Sequence, residues 1–501
     1  MGSARGGHSA GRRPCRRRRR GSAEVRISRS EFAAIALLAA GSVAAWLIIG
    51  SYPSYDAYYH LVWGRELFDG TVPSIGDYQA PTAHPLYILV AGILGLGFGE
   101  SADRALVLVA ILSLALCAWS LWRIGRAVFG RWPGIIAALL VLANLTLLLY
   151  AARAFPDLVF LALVFLAAAL EAERRRRGTS VRVVLAAAGL VRPEAWVLAG
   201  IYWLWCVWPA DYATGRRSLH LGLLALVLVA PVLWALFDWW AVGQPLYALT
   251  ETSSLAAELG RRRGLAEVPS AFVDGLIGVL RTPMLALVVV GVGLEILRRR
   301  GKVLYVPLSL IAIGVATFVL VGVFGLSLLP RYLTIPSITL LLFGGYALAG
   351  WVELPRRGAL RRGWALVAVF LVVAGGALMA GRASLFTRAS DEIAFVNGVH
   401  GDLVATLDDP VVLSARRCGP VSLPNFGLVP DTRWLLNASG SEVTSRSDQL
   451  SESGVAIVFT DPKTRNRYGR ADGVEVNTDS APGGFKKIAQ HGRIAAWSYC
   501  R

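Results

Sequence analysis

Between residues 31 and 381 the chain returns repeatedly to apolar runs near the length that crosses roughly 30 Å of hydrocarbon as a helix, about twenty residues. "FAAIALLAAGSVAAWLIIG" (32–50), "ALVLVAILSLALCAWSLW" (105–122) and "SLIAIGVATFVLVGVFGL" (309–326) are three of them. A backbone placed in lipid must satisfy its own hydrogen-bonding groups, so such runs fold as helices. The pattern excludes a soluble globule. A hydrophobic content of 55%, 17% charged residues and a mean hydropathy of +0.54 agree. The fold class is a polytopic α-helical membrane protein.

The net charge of +18 could suggest a nucleic-acid partner, but its placement argues against one. Arg12, Arg13 and Arg16 to Arg20 precede the first run, and most other arginine clusters separate later runs. That is the positive-inside pattern of loops left on the cytoplasmic side. Residues 1–30 read as a disordered cytoplasmic tail against anionic lipid, with no nucleic acid bound. No signal-peptide cleavage site follows the first run.

Charge alternation between loops gives about eleven crossings, the N-terminus cytoplasmic and the C-terminus outside. "RIGRAVFGRW" (123–132), "EAERRRRG" (171–178), "TGRRS" (214–218), "RRRGK" (298–302) and "RRGALRRG" (356–363) mark the inner face. Residues 51–103 then lie outside. The apolar stretch 84–99 begins and ends on that face, as an interfacial or re-entrant segment. Its "GLGFG" lacks a preceding strand and the spacing of a phosphate loop. Residues 181–209 are split by Arg192, Pro193 and Glu194, which predicts two short helices dipping in and back.

Composition changes near residue 385. Residues 385–501 contain 13 acidic and 13 basic residues, and "PVVLSARR", "VAIVFTD" and "RIAAWSYC" alternate like strands between turn residues. This tail is expected to form a small extracytoplasmic α/β domain, leaving 31–384 as the membrane domain. Its two cysteines, Cys418 and Cys500, can pair in an oxidising compartment. Cys15, Cys117 and Cys206 are expected to be free, and no cysteine spacing suggests a metal site.

The topology collects ionisable residues on the outer surface: Asp56, His60, Asp77, His84, Arg153, Asp157, Glu251 and Arg331 with Tyr332. In "SYDAYYH" aromatic rings surround Asp56, and partial desolvation suits a carboxylate to general-base work. The structural alternative is a helix cap, since Asp56 precedes an amphipathic segment. His60 shares its helix face and could be a metal ligand or a donor. Arg331 in "LLPRYLTIP" could snorkel to the interface or hold a lipid-borne phosphate in its planar fork. Arg192 and Glu194 could pair at the floor of a cavity, because an unpaired charge at depth is costly.

"YDAYYHLVWGREL", "GLVRPEAW", "VGQPLYALTETSSLAAELGRRRG" and "PRYLTIP" resemble segments of the GT-C superfamily, membrane glycosyltransferases that use polyprenyl-phosphate sugars. The likeness runs over residues 31–381 and is nearest to actinobacterial members related to protein mannosyltransferases and aminoarabinose transferases. It implies an inverting transfer to a cell-envelope glycan, lipid or protein, with Asp56 catalytic and no nucleotide cofactor. Relatives often carry two adjacent acids where Ala57 follows Asp56 here, so Asp157 is the candidate second acid. A divalent cation (Mg, Mn or Ca) on Asp56 and Asp157 is then possible. The donor phosphate falls to Arg331, Tyr332 and Arg153, and substrate contacts to His60, His84 and Glu251. A transporter or lipid flippase, or a non-catalytic envelope assembly protein, are the alternatives.

Overall fold

Apolar runs become helices here. The computed structural model describes residues 29–207, 217–251, 260–298, 304–469 and 479–500. The Arg-rich tail up to residue 28, with Cys15, lies outside the described residues. In chain order the membrane part has α1 (Arg29–Ile49), α2 (Tyr55–Phe68), α3 (Pro85–Phe98), α4 (Ala102–Val128), α5 (Arg131–Leu142) and α6 (Leu145–Ala152). It continues with α7 (Asp157–Glu173), α8 (Thr179–Gly189), α9 (Glu194–Val207), α10 (Arg217–Val242), α11 (Val268–Arg298), α12 (Tyr305–Val323), α13 (Thr334–Ala349) and α14 (Ala359–Ala380).

Among the described residues, seven helices are long and apolar enough to cross a membrane, or eight if the bent pair α5–α6 is one span. The expected eleven crossings are therefore not all full spans. The shortfall lies in 157–207, where α7, α8 and α9 have 17, 11 and 14 residues. At 1.5 Å per residue they reach about 16 to 26 Å, short of roughly 30 Å. The break at Arg192–Pro193 gives the two short helices expected there, and Trp196 Nε1 donates to Gly189 O across it at 2.9 Å.

The centre of the bundle is α4, α5, α7 and α13, which bury Leu106, Leu121, Val141, Phe165 and Leu341 in one cluster. Around it α1, α10 and α14 leave large apolar side chains exposed, Ile48 at 83% and Leu366 at 71% among them. Helices apolar on their outward faces suit lipid contact.

α2 and α3, 14 residues each, are too short to span and pack on one another. A Cβ on Gly64 would stand 2.5 Å from Gly92 N, so the crossing requires glycine at Gly64. The start of α3 is tied to the α8–α9 break, with Leu86 N donating to Leu190 O at 3.0 Å.

The C-terminal part begins with α15 (Ser384–Leu407), whose second half packs Phe395, Val399 and Leu403 against a five-stranded sheet. The strands are β1 (Val421–Leu423), β2 (Val443–Ser445), β3 (Gly454–Phe459), β4 (Lys486–His491) and β5 (Ile494–Tyr499), in the order β2-β1-β3-β5-β4. β2, β1 and β3 are parallel; β5 pairs antiparallel with both β3 and β4. "PVVLSA" is not a strand but the short helix α16 (Pro410–Ala415), because Pro410 starts it and Asp409 caps it through Val411 N at 2.9 Å. Cys418 and Cys500 are joined, their Cα atoms 4.9 Å apart, while Cys117 and Cys206 are free.

This domain is bolted to α2. Arg433, on α17 (Val429–Leu435), is fully buried between Glu66 at 2.7 Å and Asp77. In return Arg65 donates to the carbonyls of Arg433, Trp434 and Ala438 at 3.2 to 3.3 Å. Truncating one member of a buried ion pair leaves the rest uncompensated, at about 3–5 kcal/mol; the partial exposure of Asp77 puts this case at the low end. Arg433→Leu is accordingly expected to lower the melting temperature and expose the α2–α17 seam to protease. An unchanged thermal unfolding profile in detergent would show that the seam carries no such energy.

Candidate active site

Ser54, not Asp56, caps α2: its side chain accepts from Ala57 N at 3.4 Å. Asp56 is thereby left in the first turn with a free carboxylate, and Arg331 Nη1 donates to its Oδ2 at 3.3 Å. Arg331 is placed by the 3₁₀ turn Pro330–Leu333, which leads into α13 and is closed by Thr334 Oγ1 donating to Arg331 O at 2.6 Å. Two residues 275 apart in sequence thus face one another at a shared wall.

Two chambers meet at that wall. The polar one, about 350 Å³, is lined by Asp56, Gln79, Arg261, Arg331, Tyr332 and, from the C-terminal domain, Phe426. Phe426 stands edge-on to Tyr55, ring centres 5.6 Å apart, and closes this chamber from the domain side. The second, about 230 Å³, has an apolar mouth of Trp196, Pro231, Leu246, Leu320 and Phe324. Its floor is His84, Arg192, Glu194 and Asp238, and Thr82, Arg331 and Tyr332 belong to both chambers.

Behind the wall runs a chain of alternating charge. Arg192, buried, donates to Asp157 and pairs with Glu194 at 2.7 Å, and its guanidinium lies 4.8 Å from the Tyr332 ring centre. Arg331 is an electrostatic neighbour of both Asp157 and Asp56. The expected Arg192–Glu194 pair therefore forms at a cavity floor and gains Asp157 as a third member.

The remaining candidates sort by position. Asp157 is only 1% exposed, faces Arg192 and lines neither chamber, so the structure does not present it as a second catalytic acid. His60 is wholly buried. Its Nε2 accepts from His84 N at 3.1 Å, so Nδ1 carries the proton and donates to Asp56 O at 2.6 Å. Burial pushes His60 down to about 4, and the neutral ring braces the Asp56 helix rather than touching substrate. His84 stacks on His60 with ring centres 5.1 Å apart and lines the second chamber. Glu251 is exposed and borders a separate small crevice with Tyr247 and Ala80. Arg153 lines neither chamber; its charge acts on Tyr58, His400 and Asp431 beneath the C-terminal domain. A phosphate role for Arg153 and substrate roles for His60 and Glu251 therefore have no geometric support.

A divalent cation finds no donor set at the wall. Asp56 faces one guanidinium, and Asp157 and Glu194 share another. Among the described residues no three carboxylate, imidazole or thiol side chains converge. Asp56 and Asp157, the expected cation ligands, face different guanidinium groups, Arg331 and Arg192.

Two lining residues escaped the sequence reading. Arg261 adds a second cation to the polar chamber. Its signal was available: "GRRRG" is an arginine cluster in a loop assigned to the outside, against the positive-inside rule. Asp238 is a carboxylate within an apolar run, which is by default a functional signal.

Comparison with known proteins agrees with this architecture. Residues 84–234 match the family model described as dolichyl-phosphate-mannose-protein mannosyltransferase. Among solved structures, ArnT from Cupriavidus metallidurans in the apo state aligns over 94% of this chain and 98% of its own, with 14% identity and a TM-score of 0.55. The oligosaccharyltransferase of Archaeoglobus fulgidus, tethered to an acceptor peptide through a disulfide bond, aligns over 83% of this chain and 63% of its own at 11% identity, TM-score 0.45. No curated protein sequence matches the chain.

Asp431 allows a test of the domain seam. Burial raises its carboxyl to about 7, with Arg153 opposing the shift. A carboxyl whose folded value lies above the unfolded one, near 3.9, stabilises the fold most at low pH. That contribution is lost as pH rises toward 7. Thermal stability is expected to fall between pH 4 and 7 on this account, and Asp431→Asn to flatten that slope. A variant with the same pH slope as the natural protein would locate the titration elsewhere.

Proposed function

Starting from the GT-C fold that this chain shares, we propose that it is a membrane glycosyltransferase. It takes a sugar from a polyprenyl-phosphate donor and passes it to a hydroxyl of an extracytoplasmic cell-envelope acceptor. The observation that carries this reading is the common wall: a carboxylate on one side, a guanidinium shared by both sides, and an apolar mouth behind it.

The division of labour follows from the two chambers. The isoprenoid enters through the apolar mouth, where Trp196, Leu320 and Phe324 offer surface matched to hydrocarbon. Its phosphate reaches Arg331 and Tyr332. The acceptor comes through the polar chamber and brings a hydroxyl to Asp56. Asp56, paired with Arg331, takes the hydroxyl proton as the oxygen attacks the anomeric carbon. The bond from that carbon to the phosphate oxygen breaks, and the lipid phosphate leaves with the electron pair. Arg331 meets the charge that develops there. A general acid is not required, because the phosphate is already a competent leaving group. A single displacement inverts the anomeric configuration. No step needs a nucleotide, and none is routed through a metal.

The test is transfer by the full chain in lipid nanodiscs, with polyprenyl-phosphate mannose and polyprenyl-phosphate arabinose as donors. Loss of general-base help costs about 10²–10⁴ in rate. Asp56→Asn should show that loss while the protein still inserts and expresses. Arg331→Ala should lose on the order of 10²–10³, the cost of removing a charge-stabilising donor. Undiminished transfer by Asp56→Asn would remove that carboxylate from the mechanism. Headgroup translocation in liposomes with no transfer product would favour the transporter reading.

A further inference from the structure

The chamber with the apolar mouth has a floor that hydrocarbon cannot satisfy. Asp238, 1% exposed, uses Oδ2 to accept from Ala248 N at 2.9 Å, and its Oδ1 has no hydrogen-bond partner. His84, 9% exposed, has a buried Nδ1 with no hydrogen-bond partner. Glu194 engages Arg192 through Oε1, and its buried Oε2 is also unpartnered. All three side chains line the same cavity, beside the wall that carries Arg331.

Two carboxylate oxygens and an imidazole nitrogen, all buried and without hydrogen-bond partners, define the missing partner by chemistry. Buried polar groups are almost always hydrogen-bonded, and an isoprenoid offers no donor at all. A group with several hydroxyls does. The arrangement is graded: apolar side chains at the mouth, a guanidinium at the side, acceptors at the floor. A lipid, a phosphate and a sugar are joined in that order in the donor already proposed.

We propose that Asp238 Oδ1 and His84 Nδ1, with Glu194 Oε2, accept hydrogen bonds from the hydroxyls of the transferred sugar, making Asp238 and His84 sugar-specificity residues of the donor chamber. This rests on the glycosyltransferase reading for the identity of the donor, and it adds where and how the sugar is recognised. A site that hydrogen-bonds a hydroxyl rejects the analogue lacking it far more strongly than an apolar pocket rejects a missing methylene, because its own polar groups are left unpaired.

Asp238→Asn is the informative variant. The amide oxygen can keep the bond from Ala248 N, which turns the NH₂ toward the cavity and replaces an acceptor with a donor of equal size. The experiment is ligand titration of the full chain in nanodiscs with three probes: polyprenyl-phosphate mannose, polyprenyl-phosphate arabinose and bare polyprenyl phosphate. The natural chain should bind at least one sugar-bearing lipid about tenfold or more tightly than the bare phosphate. Asp238→Asn should lose that gain and keep its affinity for the bare phosphate within about twofold. Should Asp238→Asn fail to fold, deoxy analogues of the preferred donor on the natural chain supply the same reading, one missing hydroxyl costing about tenfold or more.

The inference is overturned by a preference for the sugar that survives Asp238→Asn, by equal losses for all three probes, or by a natural chain that prefers neither sugar. Failure of the underlying reading looks different. A natural chain that prefers a sugar-bearing lipid, loses that preference in Asp238→Asn and yet transfers to no acceptor supports the hydroxyl-reading floor and refutes the transferase.

Discussion

A guanidinium in the middle of an apolar helix bundle is costly, about 2.5–3.5 kcal/mol on insertion scales for a charge at the helix centre. Two such groups, Arg192 and Arg331, stand at the meeting of the short helices with α13, and the surrounding structure is arranged to compensate them. α7 begins at Asp157 and α9 at Glu194, so each delivers a carboxylate from its first turn. α2 brings Asp56 from the opposite side. The short helices between residues 157 and 207 therefore stop where the charges must meet.

The compensation is unequal, and the inequality separates structure from chemistry. Arg192 has two carboxylates within hydrogen-bonding distance and two rings, Phe160 and Tyr332, over its plane. It is complete without a ligand. Arg331 has one direct carboxylate at 3.3 Å, shared with the polar chamber, and a buried Nε without a partner. A guanidinium with donors to spare can take up an anion, whereas one already ringed by carboxylates cannot. The residue that keeps the wall in place and the residue left open to an anion are thus different arginines.

Much of this was legible in sequence because bilayer physics is written in composition. The apolar runs and the break at Arg192–Pro193 follow from the cost of unsatisfied backbone and charge in lipid. Asp56 and Arg331 were singled out from opposite ends of the chain by their loops alone. What the sequence could not show was partner choice. Asp157 carries the composition of a second catalytic acid, yet its neighbour in space is Arg192. His60 lies four residues from Asp56, but a turn of helix directs its Nδ1 to the Asp56 carbonyl and buries the ring. "PVVLSA" alternates like a strand, and the proline at its start with Asp409 as cap decides for a helix. Periodicity reports which face is apolar; it does not report which of two acids a guanidinium will meet.

The same pairing logic explains why the C-terminal domain belongs to the site. α2 is only 14 residues long and cannot anchor itself across the bilayer. Its N-terminal end carries Asp56 and Tyr55 beneath Phe426, and its C-terminal end carries Arg65 and Glu66 against Arg433 and Trp434 of α17. Both ends are therefore held by one C-terminal domain, with the disulfide from Cys418 to Cys500 fastening that domain's last strand to the turn before β1. Asp56, 3.3 Å from the Arg331 guanidinium, thus sits on a helix braced at both ends. The C-terminal domain is in this sense the second half of the scaffold that positions Asp56, and its Phe426 ring makes it a wall of the polar chamber as well.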